Sequence, residues 1–468
     1  MKMLSIKKQR SLTEGPLFWK ILFFALPIMA TGVLQILYSM ADNIVVGQFS
    51  GDENALGAVG STSSLTNLTI NLLLGIAGGT SVVVAQAYGA RNEKIVSRTV
   101  HTAMTFSLVG GIAFALIALL ISRPALVAMG TKPMLLEGAI LYFRIICFGI
   151  PASAVYNFGA AILRSVGDSK TPLIVLSSTG LVNVGLNFLF VVGCKMTVDG
   201  VAIATISSQY LSAIAVTFVL WHRREQCYGL SVKKFCFDFA MFRRILRFGV
   251  PAGLQGSMFS FSNILLTSGV NQLVDSAIKA NTISGNIDAL TYTACNSFHH
   301  AAMTFVGQNY GAGKYKRVKR VMLFTLIQVI FFGVAIGQLE LLFSDQLASL
   351  YVAADDPNRA EIIAISNEIL FLLLNTYFLC GIMDVLSGLL KGLGYSLAPM
   401  IMSMLGICGF RIFWVFVIFP IEKMHTPTGL LLSYPFSWSL TALMFIPTLL
   451  FAWHKIKKLR SLSSQSLE

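Results

Sequence analysis

Hydrophobic residues along this chain gather into long runs, separated by short stretches that carry most of the Lys and Arg. A helix that crosses a bilayer needs about 20 mostly apolar residues at 1.5 Å rise each. Twelve runs of that kind can be placed, at 17–41, 55–79, 96–121, 135–158, 172–193, 199–221, 245–271, 281–305, 318–343, 362–386, 396–420 and 428–453. Any one of them would also suit a buried core helix. Twelve in series would not, because the longest connection, 222–244, leaves too little chain to cover them. The pattern predicts an all-α integral membrane protein with twelve transmembrane helices.

Composition agrees. The 468 residues are 55% hydrophobic and only 12% charged, with a mean hydropathy of +0.73. Length alone would suggest about three soluble domains, but a soluble surface needs roughly a quarter of its residues charged. The net charge of +14 invites a nucleic-acid reading, which fails because so few charges leave no water-soluble surface. Its distribution is instead a topology signal. If the connections alternate between two sides, one side holds 27 of the 35 Lys and Arg and the other six, with Arg144 and Arg411 inside spans. Basic residues favour the cytoplasmic side, so both termini are expected there, in an inner (plasma) membrane. The polar start, Met1 to Gly15, lacks a cleavage pattern, and the first span is expected to act as its own insertion signal. Seven cysteines show no CxxC spacing and read as small core residues rather than a disulfide frame or metal site.

The chain also repeats itself. Gln86-Ala-Tyr-Gly-Ala-Arg-Asn-Glu-Lys-Ile-Val-Ser-Arg-Thr-Val100 matches Gln308–Met322 at seven of fifteen positions. Leu163-Arg-Ser-Val-Gly-Asp168 aligns with Leu390-Lys-Gly-Leu-Gly-Tyr395, and Phe24-Ala-Leu-Pro27 with Phe248-Gly-Val-Pro251. The offsets are 222, 227 and 224. Six spans is an even number, so the halves have the same orientation, as parallel repeats do. The expected organisation is a cytoplasmic tail at 1–16, an N-lobe at 17–221, a cytoplasmic loop at 222–244, a C-lobe at 245–453 and a cytoplasmic tail at 454–468. Two parallel lobes suit alternating access, with a substrate site in the cleft near the midplane.

These motifs, taken in order, resemble the multidrug and toxic compound extrusion (MATE) transporters. The resemblance rests on Ala25-Leu-Pro27, Asp42 followed by Asn43-Ile-Val-Val-Gly47, the two Gln-x-Tyr-Gly-Ala loops, Leu163–Asp168 and Leu390-Lys-Gly-Leu-Gly394. It implies a V-shaped pair of six-helix bundles and export of cationic, amphipathic compounds in exchange for Na⁺ or H⁺.

An ionisable side chain inside a span is costly and points to function. Asp42 leads, and Gln35 and Tyr38 lie seven and four residues before it, on one helix face. The alternative is a carboxylate that only caps the span in the interface. In the fifth span Asn183 and Asn187 share a face, and Thr205 follows on the sixth. The resemblance maps Asp42, Asn183, Asn187 and Thr205 onto the N-lobe cation site of the DinF-like branch, with Asn187 where that branch often has Asp. One carboxylate with amide and hydroxyl oxygens suits Na⁺, because hard cations take oxygen ligands. The Asn pair would equally serve to bond helices together. The NorM-like branch carries a Glu on the seventh span, and this chain has none there, so the DinF-like branch is the closer. Cleft-lining candidates are Gln35, Tyr38, Tyr156, Asn157, Gln255, Asn263, Tyr377 and Asp384. Asp384 has a second reading, as a structural partner of Arg411.

The expected function is a secondary antiporter for small, cationic amphipathic xenobiotics, acting as a monomer, with Na⁺ or H⁺ as coupling ion. No cofactor, nucleotide or nucleic-acid partner is expected: no GxxxxGK[ST] stretch occurs, and no catalytic constellation marks an enzyme. A flippase or exporter of a lipid-linked or metabolite substrate in the same superfamily is the alternative.

Overall fold

The computed structural model describes residues 12–49, 54–231, 236–353 and 356–465. Lipid offers no partner for a backbone N–H or C=O, so each span must satisfy its own ladder as a helix. The described chain does so. Its long helices are α1 (Leu17–Phe49), α2 (Ala55–Gly89), α3 (Glu93–Ala128), α4 (Pro133–Ser165), α5 (Lys170–Asn187), α6 (Val198–His222), α7 (Phe239–Val270), α8 (Asp275–Gly311) and α9 (Tyr315–Leu342). A short α10 (Ser344–Ser349) precedes α11 (Arg359–Gly392). An eleventh span strings α12 (Leu397–Ser403) and α13 (Phe410–Phe413) between π-helical turns, and α14 (Pro427–Leu431) leads into α15 (Ser433–Gln465). All twelve expected runs are helical. Ten segments among the described residues are long and apolar enough to cross a membrane. The other two, α7 and α8, fall short because they carry polar residues such as Gln255, Asn263, Asp288 and His299.

Two compact units emerge. One comprises Ala30–Gly253, the other Leu12–Met29 with Leu254 onward. The borders fall inside α1 and α7, two residues past Pro27 and Pro251, which are equivalent in the repeat. Each unit therefore takes the first part of the other half's leading helix. The same crossing shows in the segments ahead of those helices. Ahead of α7, the backbone N–H of Asp238 donates to Thr102 Oγ1 at 3.0 Å, and Arg98 pairs with Asp238 at 3.2 Å. Ahead of α1, Lys314 Nζ donates to the Thr13 carbonyl at 3.0 Å, and Arg317 to those of Glu14 and Gly15 at 2.8 Å.

Packing inside the units follows the repeat. In the first, α4 packs on α2, α3 and α6; in the second, α11 packs on α8, α9 and α15. The repeated motifs are helix C-terminal caps. Gly167 and Gly394 both adopt left-handed φ, +98° and +94°. Asp168 N–H then donates to the Leu163 carbonyl and Tyr395 N–H to the Leu390 carbonyl, each at 2.9 Å. This pairing satisfies carbonyls that a helix end would otherwise leave open. Asp168 also accepts from Thr171 N–H at 3.0 Å and from Arg223 at 2.7 Å, so one carboxylate starts α5 and ties it to the end of α6.

Glycines set the closest approach within the first unit. A Cβ at Gly75 would collide with the Gly253 backbone, and one at Gly79 would lie 2.6 Å from Gly249 Cα. Small residues let spans approach backbone to backbone, where dispersion rather than hydrophobicity holds them. Gly75→Val or Gly79→Val should therefore destabilise the protein by about 1–3 kcal/mol, the usual range for overpacking. Gly78→Val, which meets nothing within 4 Å, should be near neutral. Thermal unfolding of the three variants in detergent measures the difference.

Candidate functional site

The second part of α1 lies against α5 because Gly180 leaves room for a ring. Tyr38 occupies the space that a Cβ at Gly180 would fill, and its hydroxyl donates to the Ser177 carbonyl at 3.2 Å. One turn further along α1, Asp42 meets the polar face of α5. Asn187 Nδ2 donates to Asp42 Oδ1 and also to Asn183 Oδ1 at 3.4 Å. Thr205 on α6 reaches the same carboxylate. All four residues expected to gather here do so. Asn187 is fully buried and Asn183 nearly so, and Asn187 Oδ1 has no partner.

Tyr142 on α4 also lies within electrostatic range of Asp42. Sequence reading missed it, because no motif surrounds it and its contact depends on the rotational phase of α4. The only cue available was a polar ring in an otherwise apolar stretch.

The remaining candidates occupy other places. Gln35 is exposed. Tyr156 is buried and donates to the Pro172 carbonyl at 3.3 Å, while Asn157 bonds one turn back to Ser153 at 2.9 Å. In the second unit Gln255 is buried and donates to Ser403 at 2.8 Å. Tyr377 packs on Trp438 with ring centres 5.2 Å apart.

Arg411 is 1% exposed, the largest fully buried side chain described. Its partners are neutral: Ser437 at 3.2 Å, Ser262 at 3.3 Å, Asn263 Oδ1 at 3.0 Å and the face of Tyr434 at 4.0 Å. It makes no ion pair among the described residues, so the alternative reading of Asp384 as its structural partner is not met. Asp384 instead faces Lys391, two turns along its own helix, with Asn296 of α8 bonding its carboxylate. His299 Nδ1 bonds the Asp384 backbone carbonyl at 2.7 Å. No group of three or more His, Cys, Asp or Glu suited to a metal occurs among the described residues.

Comparison with known proteins places this geometry. A family model described as MatE matches residues 27–189 and 251–417, once in each half. The chain belongs to the MATE family. A Bacillus subtilis relative named "Probable multidrug resistance protein YoeA" is 27% identical over 94% of this chain and 95% of its own length. A Thermotoga maritima relative named "Probable multidrug resistance protein NorM" is also 27% identical, over 90% of each chain. Among solved structures, a MOP superfamily transporter from Pyrococcus furiosus superposes with a TM-score of 0.89 at 21% identity, covering 97% of this chain and 99% of that one. The MATE fold thus extends over nearly the whole protein, which is a multi-pass membrane transporter.

The Gly180 contact holds the cluster's register. Gly180→Val would push Tyr38 and the second part of α1 away from α5, whereas a side chain at Gly185, on the same helix, meets nothing within 4 Å. Gly180→Val is expected to lower thermal stability by about 1–3 kcal/mol, and Gly185→Val to leave it nearly unchanged in the same melt.

Proposed function

We propose that this protein is a secondary active antiporter of the inner membrane, with both termini cytoplasmic. It exports small, cationic amphipathic organic compounds, and Na⁺ entering through Asp42, Asn183, Asn187 and Thr205 drives the cycle. The sequence features favour the DinF-like branch, and the six-span repeats at 17–221 and 245–453 act as its functional halves. The names of the relatives, multidrug resistance proteins, support the substrate class.

One observation carries the ion reading. Asn187 turns its N–H toward Asp42 and leaves a buried amide oxygen without a partner. A buried orphan acceptor costs about 1–3 kcal/mol. A cation beside Asp42 removes that cost, because the amide can rotate and offer its oxygen. Asp42 supplies one negative charge; Asn183, Asn187 and Thr205 supply neutral oxygens, a donor set suited to a hard monovalent ion. With a single carboxylate, occupancy by Na⁺ leaves the site neutral inside the span. Tyr38, and the aromatic and Met side chains that are frequent in this chain, favour flat cations through cation–π contact.

Proteoliposomes loaded with a cationic dye test this reading. An inward Na⁺ gradient at fixed pH should drive dye movement, and Asp42→Asn should abolish the gradient dependence while inserting normally. Na⁺ should also raise the melting temperature of the purified wild type, with the shift lost in Asp42→Asn and Asn187→Leu. Full Na⁺-coupled transport by Asp42→Asn would overturn the assignment.

A further inference from the structure

A buried positive charge lies inside the second unit without a counter-ion. Arg411 is 1% exposed and forms no ion pair among the described residues. Two of its three acceptors are fixed. Ser262 of α7 and Ser437 of α15 are fully buried, and Ser437 Oγ in turn donates to the Tyr434 carbonyl at 2.9 Å. The third is not. The shortest bond, from Nη1 at 3.0 Å, goes to Oδ1 of Asn263, an exposed side chain that also accepts from the Tyr434 hydroxyl at 3.4 Å. The remaining guanidinium nitrogen, Nη2, makes no hydrogen bond among the described residues. A buried charge that meets only neutral acceptors is costly, and here one of those acceptors is free to move aside.

The backbone around Arg411 is irregular as well. α13 lies between two π-helical stretches, Met404–Gly409 and Trp414–Ile418. Such stretches are frequent at functional sites. The repeat supplies a counterpart. Asp42, Asn187 and Thr205 lie on the first, fifth and sixth spans of the first half, and Asn263, Arg411 and Ser437 on the same three spans of the second. In the first half, too, a π-helical stretch, Phe188–Gly193, begins directly after Asn187. Equivalent helices thus hold an acid in one half and a base in the other, each bonded to an asparagine. Beside the base is an aromatic surface: Trp414, three residues past Arg411, stacks on the exposed Phe436 with ring centres 5.5 Å apart.

A guanidinium matches the two oxygens of a carboxylate, and charge-assisted bonds are stronger than those to neutral acceptors. We propose that Arg411 is a binding site for the carboxylate of an amphipathic aromatic substrate. The carboxylate displaces the Asn263 amide oxygen from Nη1 and adds a bond to Nη2. Ser262 and Ser437 hold the guanidinium in position, and Trp414 and Phe436 supply apolar surface beside it. The role in transport rests on the antiport reading and narrows it: preferred substrates carry a carboxylate as well as a positive charge. Carboxylate binding itself does not depend on that reading.

Thermal melting of the purified full-length protein in neutral detergent tests the site, with benzoate as probe and uncharged benzamide as its control. Benzoate should raise the melting temperature of the wild type, and benzamide should not. Asn263→Asp sets a fixed carboxylate where the amide oxygen now stands, so it should lose the benzoate shift. Arg411→Gln should lose it too, and Asn263→Asp decides the matter if Arg411→Gln does not fold. No benzoate shift in the wild type, or one that persists in Asn263→Asp, overturns the proposal. So does loss of the wild-type shift when phosphatidylglycerol is added, which would make a lipid headgroup the occupant. For the substrate class, the probes are a cationic xanthene dye with a free carboxylate and its methyl ester, read by fluorescence anisotropy. The wild type should bind the acid about tenfold more tightly than the ester, as one added charge-assisted bond implies. Asn263→Asp should abolish that preference. Equal binding of the two dyes by the wild type overturns the proposal. Absence of any gradient-driven dye transport would defeat the antiport reading and leave both binding results standing.

Discussion

Everything in this fold follows from the absence of water around its backbone. A peptide group in lipid must find its partner within its own helix, so the chain spends its length on long helices and has to close every helix end deliberately. The two Gln-x-Tyr-Gly-Ala turns and the two Leu-Arg/Lys-x-x-Gly turns are such closures. Gly167 and Gly394 take up left-handed φ so that the next N–H can fold back onto the last turn. Backbone satisfaction explains why turns of this kind recur at matching places in the two halves.

Once the backbone is satisfied, what distinguishes one helix from another is where its polar side chains go. In the first unit, Asn183 and Asn187 share one face of α5 and meet Asp42 across the Tyr38–Gly180 contact. In the second, polar groups are spread over α7, α8 and α11, which is why α7 and α8 are too polar to pass as spans on hydropathy alone. Some of these groups are paired, as with Arg411 in its serine cradle, while others, such as Asn187 Oδ1 and Gln255 Oε1, have no hydrogen-bond partner.

Much of this was legible from sequence, for identifiable reasons. Hydropathy runs located all twelve helices because bilayer thickness fixes their length. The four-residue spacing of Asn183 and Asn187 placed them on one face, and Asp42 stood out as an acid after a long apolar run. What stayed hidden depended on rotation of one helix against another. Tyr142 joins the Asp42 cluster from α4, and Arg411 turns toward Ser262, Asn263 and Ser437 rather than Asp384. Neither phase can be read from periodicity in a helix that is apolar nearly all round. The division of α1 and α7 between units was equally hidden. Pro27 and Pro251 aligned in the repeat, but nothing in the sequence said that the compact units change hands just beyond them.

That exchange bears on how the protein is made. The segment Leu12–Met29 leaves the ribosome long before its partners: Leu12 meets Asn309 and Phe18 meets Gln328, 297 and 310 residues later. Contacts of such long sequence separation form slowly, because the intervening loop must close before they repay its entropy. The first half of the chain can be inserted and largely packed while its opening stretch waits in the bilayer with an unfilled role. Completion of the second unit is then a quality test on the whole molecule, since a truncated chain leaves that stretch without the helices it was built to join.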